Sequence, residues 1–396
     1  MNSIASRRRY IEVHVLQTVP PANVNRGADG APKAAFYGGA RRPRVSSQAW
    51  KRSTRIAFAS LGVDPQLLGT RTAAVTEHLA EAIAERTGLD AGKAGRLAVA
   101  LISKLGVSGK KEKSGGKKDE AEGTEEKAKT EATAYLLFYG VRQIDNIVDL
   151  IADRAEELAG LSDAKLAAEL KGTDVQAAIR DGHPIDVALF GRMVADNKGL
   201  SVDAACQVAH ALATHAAEEE EDYYVAIDDR RPKEESGAGM IGRIGFNSAT
   251  LYRYAAVSLH QLEENLADTK TAIEAVTAFV NGFVRSMPTG YINAFAHQTM
   301  PQLVAVTVRD TQPVNLVTAF EKPVTAFAGS GYAEPSARAL AAEHTTIRDQ
   351  WGVQALWSGI THGFADQKTR GQLDSAFGTA VPFPALVEAL AAELAK

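Results

Sequence analysis

From Tyr10 to Gln17 apolar and polar residues alternate, and Ile11, Val13 and Val15 fall on one side. A period of two is the mark of a β-strand. The stretch Pro20 to Pro32 is a loop of Pro and Gly that holds Asn25, Arg26 and Asp29. A helix is expected to start after Ser47 and to run to about Leu61. From Ala73 to Leu105 the pattern is helical and alanine-rich, with Leu79, Ala82, Ile83, Leu97, Leu101, Ile102 and Leu105 as core positions. Glu131–Gly160 and Asp163–Gly172 are helical again, so a compact helical insertion is expected over 62–183. Pro184 to Met193 reads as a strand ending at Gly191, and Ser201 to His215 as a helix. Tyr223–Ile227 and Met240–Phe246 are short β-like runs around the polar stretch Asp228–Gly239, the layout of a protruding hairpin over about 215–250. Helices follow around Leu259 to Met287, broken near Asn265 and Asp268, and Leu303–Val308 is apolar enough for the centre of a sheet. This order predicts an α+β fold whose sheet is built from 1–61 and 184–396.

At 396 residues, with 45% hydrophobic and 23% charged residues, the chain can bury a large core. Ile11 to Val19 is interrupted by Glu12, His14 and Gln17, so it reads as a strand and not as a signal peptide. No stretch approaches the roughly 20 apolar residues of a membrane span, and a cytoplasmic protein with no membrane partner is expected. The single cysteine, Cys206, can form no internal disulfide and is expected to be a buried, inert thiol. Residues 106–130 are nearly all Lys, Glu, Asp, Gly, Ser and Ala. Their charges almost cancel, which predicts a solvated insertion and not a nucleic-acid tail.

Charge changes the picture at one place. Between Asp29 and Asp64 there is no acidic residue, while Lys33, Arg41, Arg42, Arg44, Lys51, Arg52 and Arg55 all lie there on a chain of net charge -4. A basic island on an acidic chain suits a polyanion. Gln48, Lys51, Arg52 and Arg55 share one face of the expected helix, with Ala49, Trp50, Ile56 and Ala57 opposite. Ser46 or Ser47 can cap that helix, and the N–H groups of its first turn suit a phosphate. Two readings fit: a phosphate-holding surface, or a solvated basic helix beside an arginine loop.

Support for catalysis is thin. His210 and His215 are five apart, about 140° around a helix, and do not share a metal face. Glu218–Asp222 reads as a solvated acidic turn. Gly237-Ala238-Gly239 lacks the Gly-Lys-Ser/Thr of a phosphate loop. Asp228 and Asp229 would diverge on a strand, and no histidine lies within the basic segment Gly30 to Val63. No cofactor or metal is expected.

The blocks Ile11–Leu16, Asn25-Arg26 and Phe36–Arg52 resemble the start of the CasC-type backbone subunits (Cas-seven superfamily) of the type I-E CRISPR Cascade. Asp186–Met193, Ala209–His215, Val225–Asp229, Leu251–Ala255 and Gln261–Leu266 continue the likeness in family order, and the tail after Glu321 resembles it only loosely. The resemblance implies an RRM-like (ferredoxin-like) palm, a helical fingers insertion and a β-hairpin thumb. It implies a non-catalytic subunit that binds CRISPR guide RNA beside further copies of itself and other Cascade subunits, and presents the guide to target DNA. Asn25, Arg26, Lys33, Arg41, Arg42, Arg44, Ser46, Gln48, Lys51, Arg52 and Arg55 would then hold the RNA backbone. Met193 matches a family methionine that wedges at a kinked nucleotide; without the resemblance, plain core is the favoured reading. Tyr223 and Tyr224 would stack on bases or brace the kink, or pack the hairpin. The family's lysine-rich helix that meets target DNA has little counterpart here, where only Arg154, Lys165, Lys171 and Arg180 are available. The alternatives are a metal-independent endoribonuclease processing precursor CRISPR RNA, and a general single-stranded RNA-binding protein.

Overall fold

The computed structural model describes residues 8–106, 136–226, 240–326 and 331–396. Most of the charged insertion, the hairpin tip, Asp228-Asp229 and Gly237–Gly239 lie outside the described residues. The chain runs β1 (Tyr10–Ala22), β2 (Ala34–Tyr37), β3 (Ala40–Val45), α1 (Ser47–Ser60), β4 (Gly69–Thr72), α2 (Val75–Thr87), α3 (Ala91–Ser103), β5 (Leu137–Gly140) and α4 (Val141–Asp149). It continues through α5 (Ala155–Ala159), α6 (Asp163–Glu169), α7 (Val175–Arg180), α8 (Ile185–Phe190), β6 (Cys206–Val208), β7 (Ala211–Ala213), β8 (Glu220–Ala226) and β9 (Met240–Ser258). The rest is α9 (Leu259–Leu266), α10 (Thr269–Arg285), α11 (Ile292–Phe295), β10 (Leu303–Arg309), α12 (Ala333–Trp351), β11 (Trp357–His362), α13 (Gln367–Phe377) and α14 (Phe383–Leu394).

Two units emerge. One comprises Met1–Gly62, Cys206–Gln261 and Lys270–Lys396; the other comprises Val63–Ala205 and Leu262–Thr269. The first is a mixed α/β unit on an antiparallel sheet of order β11-β10-β1-β9-β7-β3-β2, with β6 and β8 also paired to β9. β1 lies between β9 and β10, with Val13 opposite Ala255 on one side and Val306 on the other. Both faces of β1 are covered, so its polar positions are buried as well as its apolar ones. Glu12 and His14 point into a second core that contains Leu16, Tyr252, Leu303, Leu340 and Phe377. There Glu12 accepts from Arg309 Nε at 3.0 Å, and also from the Thr307 hydroxyl and the Val314 N–H. A buried carboxylate needs such donors. Burial pushes the Glu12 carboxyl up, but His14, Arg309 and Thr307 outweigh it and hold it below its ordinary range.

The second unit is helical, with a two-stranded β4–β5 ribbon. Leu79 and Ile83 of α2 meet Leu97 and Leu101 of α3 and Ile147 and Val148 of α4 in its core. The helical pattern over Ala73–Leu105 forms two helices, because Gly88 takes φ 73° and Asp90 caps a new start by accepting from the Lys93 N–H.

Two expected elements are of the other type. Pro184–Met193 contains α8, not a strand: Pro184 occupies the N-cap and Gly191 stops the helix at φ 79°. Short fully apolar runs do not distinguish strand from buried helix by period alone. Ser201–His215 is not helical; it carries β6 and β7, which both add to β9. Tertiary pairing overrides the alanine-rich local preference there. Cys206 is buried on β6, and burial pushes its thiol up to about 12, consistent with an inert group.

His344 of α12 is buried against Phe377, at 4.3 Å between ring centroids, with no hydrogen-bond partner on either ring nitrogen. Burial, with the charges of His14 and Arg309, pushes its pKa down to about 3. The unfolded chain therefore takes up this proton between pH 6.5 and about 3 while the folded chain does not. Stability from this group is full above pH 6.5 and is lost as the pH falls. His344→Leu should retain stability at pH 7 and lose markedly less than the parent between pH 6.5 and 4. Urea titrations at pH 7, 5.5 and 4 measure this, and equal losses in both proteins would exclude the assignment.

Candidate nucleic-acid interface

The site is built on β2, β3 and α1 of the sheet-containing unit. Gly38 and Gly39, at φ 58° and 76°, form the two-residue turn between β2 and β3. Positive φ at both positions is what a tight type I′ hairpin needs. Gly38 is required twice over, because an added Cβ would sit 1.6 Å from the Glu321 carbonyl oxygen.

Alternation along β3 separates its arginines. Arg41 is exposed and paired to Glu219 at 2.9 Å. Arg42, expected to hold RNA, is fully buried. It donates to the carbonyls of Ala213 (3.0 Å), Phe320 (3.0 Å) and Glu321 (3.2 Å). Its guanidinium thus ties β3 to β7 and to the segment before α12. Arg44 is half-buried and donates to His210 Nδ1 at 3.1 Å.

Ser46 caps α1 by accepting from the Ala49 N–H, and its own N–H donates to Asn25 Oδ1 at 2.9 Å. Asn25 therefore fastens the Pro-Gly loop to the helix start. The loop is held further by backbone bonds from Lys33 N to the Asn25 carbonyl and from Arg44 N to the Lys33 carbonyl. Arg26 is exposed and lies over the Tyr291 ring at 4.8 Å. The first turn of α1 is not fully open to a phosphate, since the Ser47 N–H is already taken by His210 Nδ1 at 3.1 Å.

Trp50, Thr54 and Phe58 form the buried stripe of α1. Ile56, expected in the core, is 56% exposed, because it stands two residues, about 200°, from Thr54. Gln48 and Arg52 are exposed, and Lys51 and Arg55 half-buried, so the polar face is presented outward as a group.

Met193, in the helical unit, is 86% exposed, which removes the core reading. Its backbone is firmly placed. Arg192 is buried, donates to the carbonyls of Leu200 (2.8 Å) and Phe138 (3.1 Å), and bridges Val202 through its backbone. On the hairpin, Tyr223 pairs with Arg243 and Tyr224 with Gly242. Adjacent strand residues face opposite ways, so the two rings do not share a face. Tyr224 lies over Gly242, where an added Cβ would come within 2.2 Å of the ring, while Tyr223 is 58% exposed.

Residues 11–389 match the family described as CT1975-like protein. The chain belongs to that family. Its fold is also that of solved chains. A chain of a structure titled CRISPR RNA-guided surveillance complex, pre-nicking, is 31% identical with a TM-score of 0.76, over 97% of this chain and 100% of that one. Another, titled CRISPR RNA-guided surveillance complex, is 28% identical with a TM-score of 0.68, over 97% and 99%. A comparison with curated proteins gave no match.

The CT1975-like chain also brings to the site residues that the sequence did not single out there. His210 contacts both Arg44 and the start of α1, and Glu219 neutralises Arg41. Phe36, opposite Arg41 on the hairpin, is 83% exposed. Only strand register carries the signal for His210, and a helical reading of its segment concealed it. His215 is a different kind of residue. It is buried, stacked on Tyr332 at 3.6 Å, and accepts from the Thr250 N–H at 3.1 Å.

The two neighbouring arginines of β3 should differ in kind. Arg42→Ala removes three hydrogen bonds to backbone carbonyls, two of them buried, and should cost about 3 kcal/mol of folding stability, as for lost hydrogen bonds to a charged group. Arg41→Ala removes only an exposed pair and should cost less than about 1 kcal/mol. Chemical denaturation of both variants decides, and equal losses would contradict the division.

Proposed function

We propose that this chain is a non-catalytic backbone subunit of a CRISPR Cascade of type I-E, several copies of which line one guide RNA. The observation that carries the reading is end-to-end likeness, at 31% identity, to a chain of an RNA-guided surveillance complex. The outward face of Gln48, Lys51, Arg52 and Arg55 supplies the matching chemistry. Lys and Arg hold phosphates and register without reading sequence, which suits a subunit whose specificity comes from guide–target pairing. In this reading the sheet unit acts as an RRM-like palm, the helical unit as fingers and the β8–β9 hairpin as a thumb over a neighbouring copy. Asn25 and Ser46 shape the surface, and Arg26, Lys33, Arg44, Gln48, Lys51, Arg52 and Arg55 hold the backbone. Met193, aided by Tyr223, kinks the guide at intervals so that target DNA pairs without winding around it.

Lys51→Glu with Arg55→Glu should weaken guide binding strongly and leave the fold intact. Single-strand binding falls with salt at a log–log slope of about -0.7 per phosphate contacted, so losing two contacts should flatten it by about 1.4. An unaltered slope would remove α1 from the interface. A guide-length protection assay tests the wider reading: a filament leaves a regular footprint, a nuclease cleaves, and a general binder does neither.

Met193→Ala should leave melting of the RNA-free chain unchanged within about 0.5 kcal/mol, as for an exposed side chain. Target capture by the assembled complex should fall, because an unstacked base at the kink loses its apolar wedge. Unimpaired capture would refute the wedge.

A further inference from the structure

His210 stands at an irregularity of the sheet. Val208 pairs with Ala255 and Leu212 with Tyr252. Four steps on one strand oppose three on β9, so the β6–β7 strand carries one extra residue. Such a bulge re-aims a side chain. Because Val45 pairs with Ala211, the bulge delivers His210 to the junction of β3 and α1. Its ring is exposed there.

Two N–H groups, Ser47 N and Arg44 Nη1, each lie 3.1 Å from Nδ1. A nitrogen that accepts cannot also carry the proton, so the neutral ring is the Nε2–H tautomer. Partial burial and the facing charges of Arg44 and Lys33 push the pKa down, which keeps the ring neutral at pH 7. The outward nitrogen is therefore a donor and not a general base. Its orientation is fixed from behind by two bonds, and it stands beside Arg44 and Lys33 at the start of α1.

We propose that His210 is a further RNA-holding residue, whose Nε2–H donates to an oxygen of the sugar–phosphate backbone lying along α1. This rests on the reading of the chain as a guide-RNA subunit. The neighbouring lysines and arginines attract phosphate without demanding one geometry. A neutral, fixed donor adds direction and displaces no counterion.

The test uses three forms of the full chain, with single-stranded RNA of guide length and an all-deoxy strand of the same sequence. In His210→Asn the amide oxygen replaces Nδ1 as acceptor and the outward donor is lost. In His210→Gln a donor returns near the Nε2 position. His210→Asn should bind RNA about three- to tenfold more weakly, the effect of one hydrogen bond. Its salt slope and melting temperature should match the parent, and His210→Gln, which restores a donor near Nε2 but no acceptor at Nδ1, should recover part of the loss. A defect confined to RNA would identify a ribose 2′-hydroxyl, and a defect on both strands a phosphate oxygen; either supports the proposal. Parental affinity in His210→Asn, a flattened slope, or a lowered melting temperature would overturn it. The Lys51/Arg55 double variant is run alongside. If its slope does not change, the RNA surface on α1 fails whatever His210 does.

Discussion

One buried guanidinium sets where the basic helix stands. Arg253 of β9 is fully buried. It donates to Gln17 Oε1 of β1 at 2.6 Å and to the Phe283 carbonyl of α10. Its carbon centre lies 3.7 Å from the Trp50 ring of α1 and 4.4 Å from that of Phe283. Four elements therefore meet on one cation. Burying a charge is costly unless it is hydrogen-bonded, and an aromatic face offsets part of the remainder. Gly282 of α10 completes the seat, since an added Cβ would come within 3.0 Å of Phe58 and 3.2 Å of Thr54. With Trp50, Thr54 and Phe58 held inward, Gln48, Lys51, Arg52 and Arg55 face out. This outward face is aimed from behind, by residues buried in the sheet unit.

The arginines fall into two populations with different physics. Arg42, Arg192, Arg253 and Arg309 are buried and donate to backbone carbonyls, joined for Arg253 by a glutamine and for Arg309 by a glutamate. They fix strands and turns in place. Arg26 and Arg52 are exposed and available to a polyanion. Arg41 is exposed but shares its charge with Glu219. Counting basic residues in the segment overstates its usable positive charge, because one is inside the fold and another is neutralised.

The interface also joins parts distant in the chain. Asn25 fastens the loop after β1 to the start of α1, and His210 reaches the same start from the β6–β7 bulge. Both bring a side-chain acceptor to a backbone N–H that would otherwise be open at a helix terminus. The surface is thus shaped by the fold itself. Exposed Met193 and Tyr223 follow the same principle, each projecting from backbone held by other bonds: Arg192 in one case, the β8–β9 ladder in the other.

Local chemistry made several features legible in the sequence alone. The alternation of β1, the glycine turn after Tyr37, a serine cap at Ser46 or Ser47, the face shared by Gln48, Lys51, Arg52 and Arg55, the hairpin strands and the apolar β10 all rest on periods, caps and turns within a few residues. The acid-free run from Asp29 to Asp64 likewise needs no structure to be seen. Other features were decided by contacts between distant segments. Whether Pro184–Gly191 would be helix or strand, and whether Ser201–His215 would join β9, depended on what lay opposite. Arg42 and Arg41 are the same residue type one position apart, and only the strand register and the carbonyls of Ala213, Phe320 and Glu321 separate them. His210 and Arg253 gain their roles wholly from register and stacking across the sheet. A sequence states which groups a chain carries and how they repeat; which of them face water is set by the partner that covers the other side.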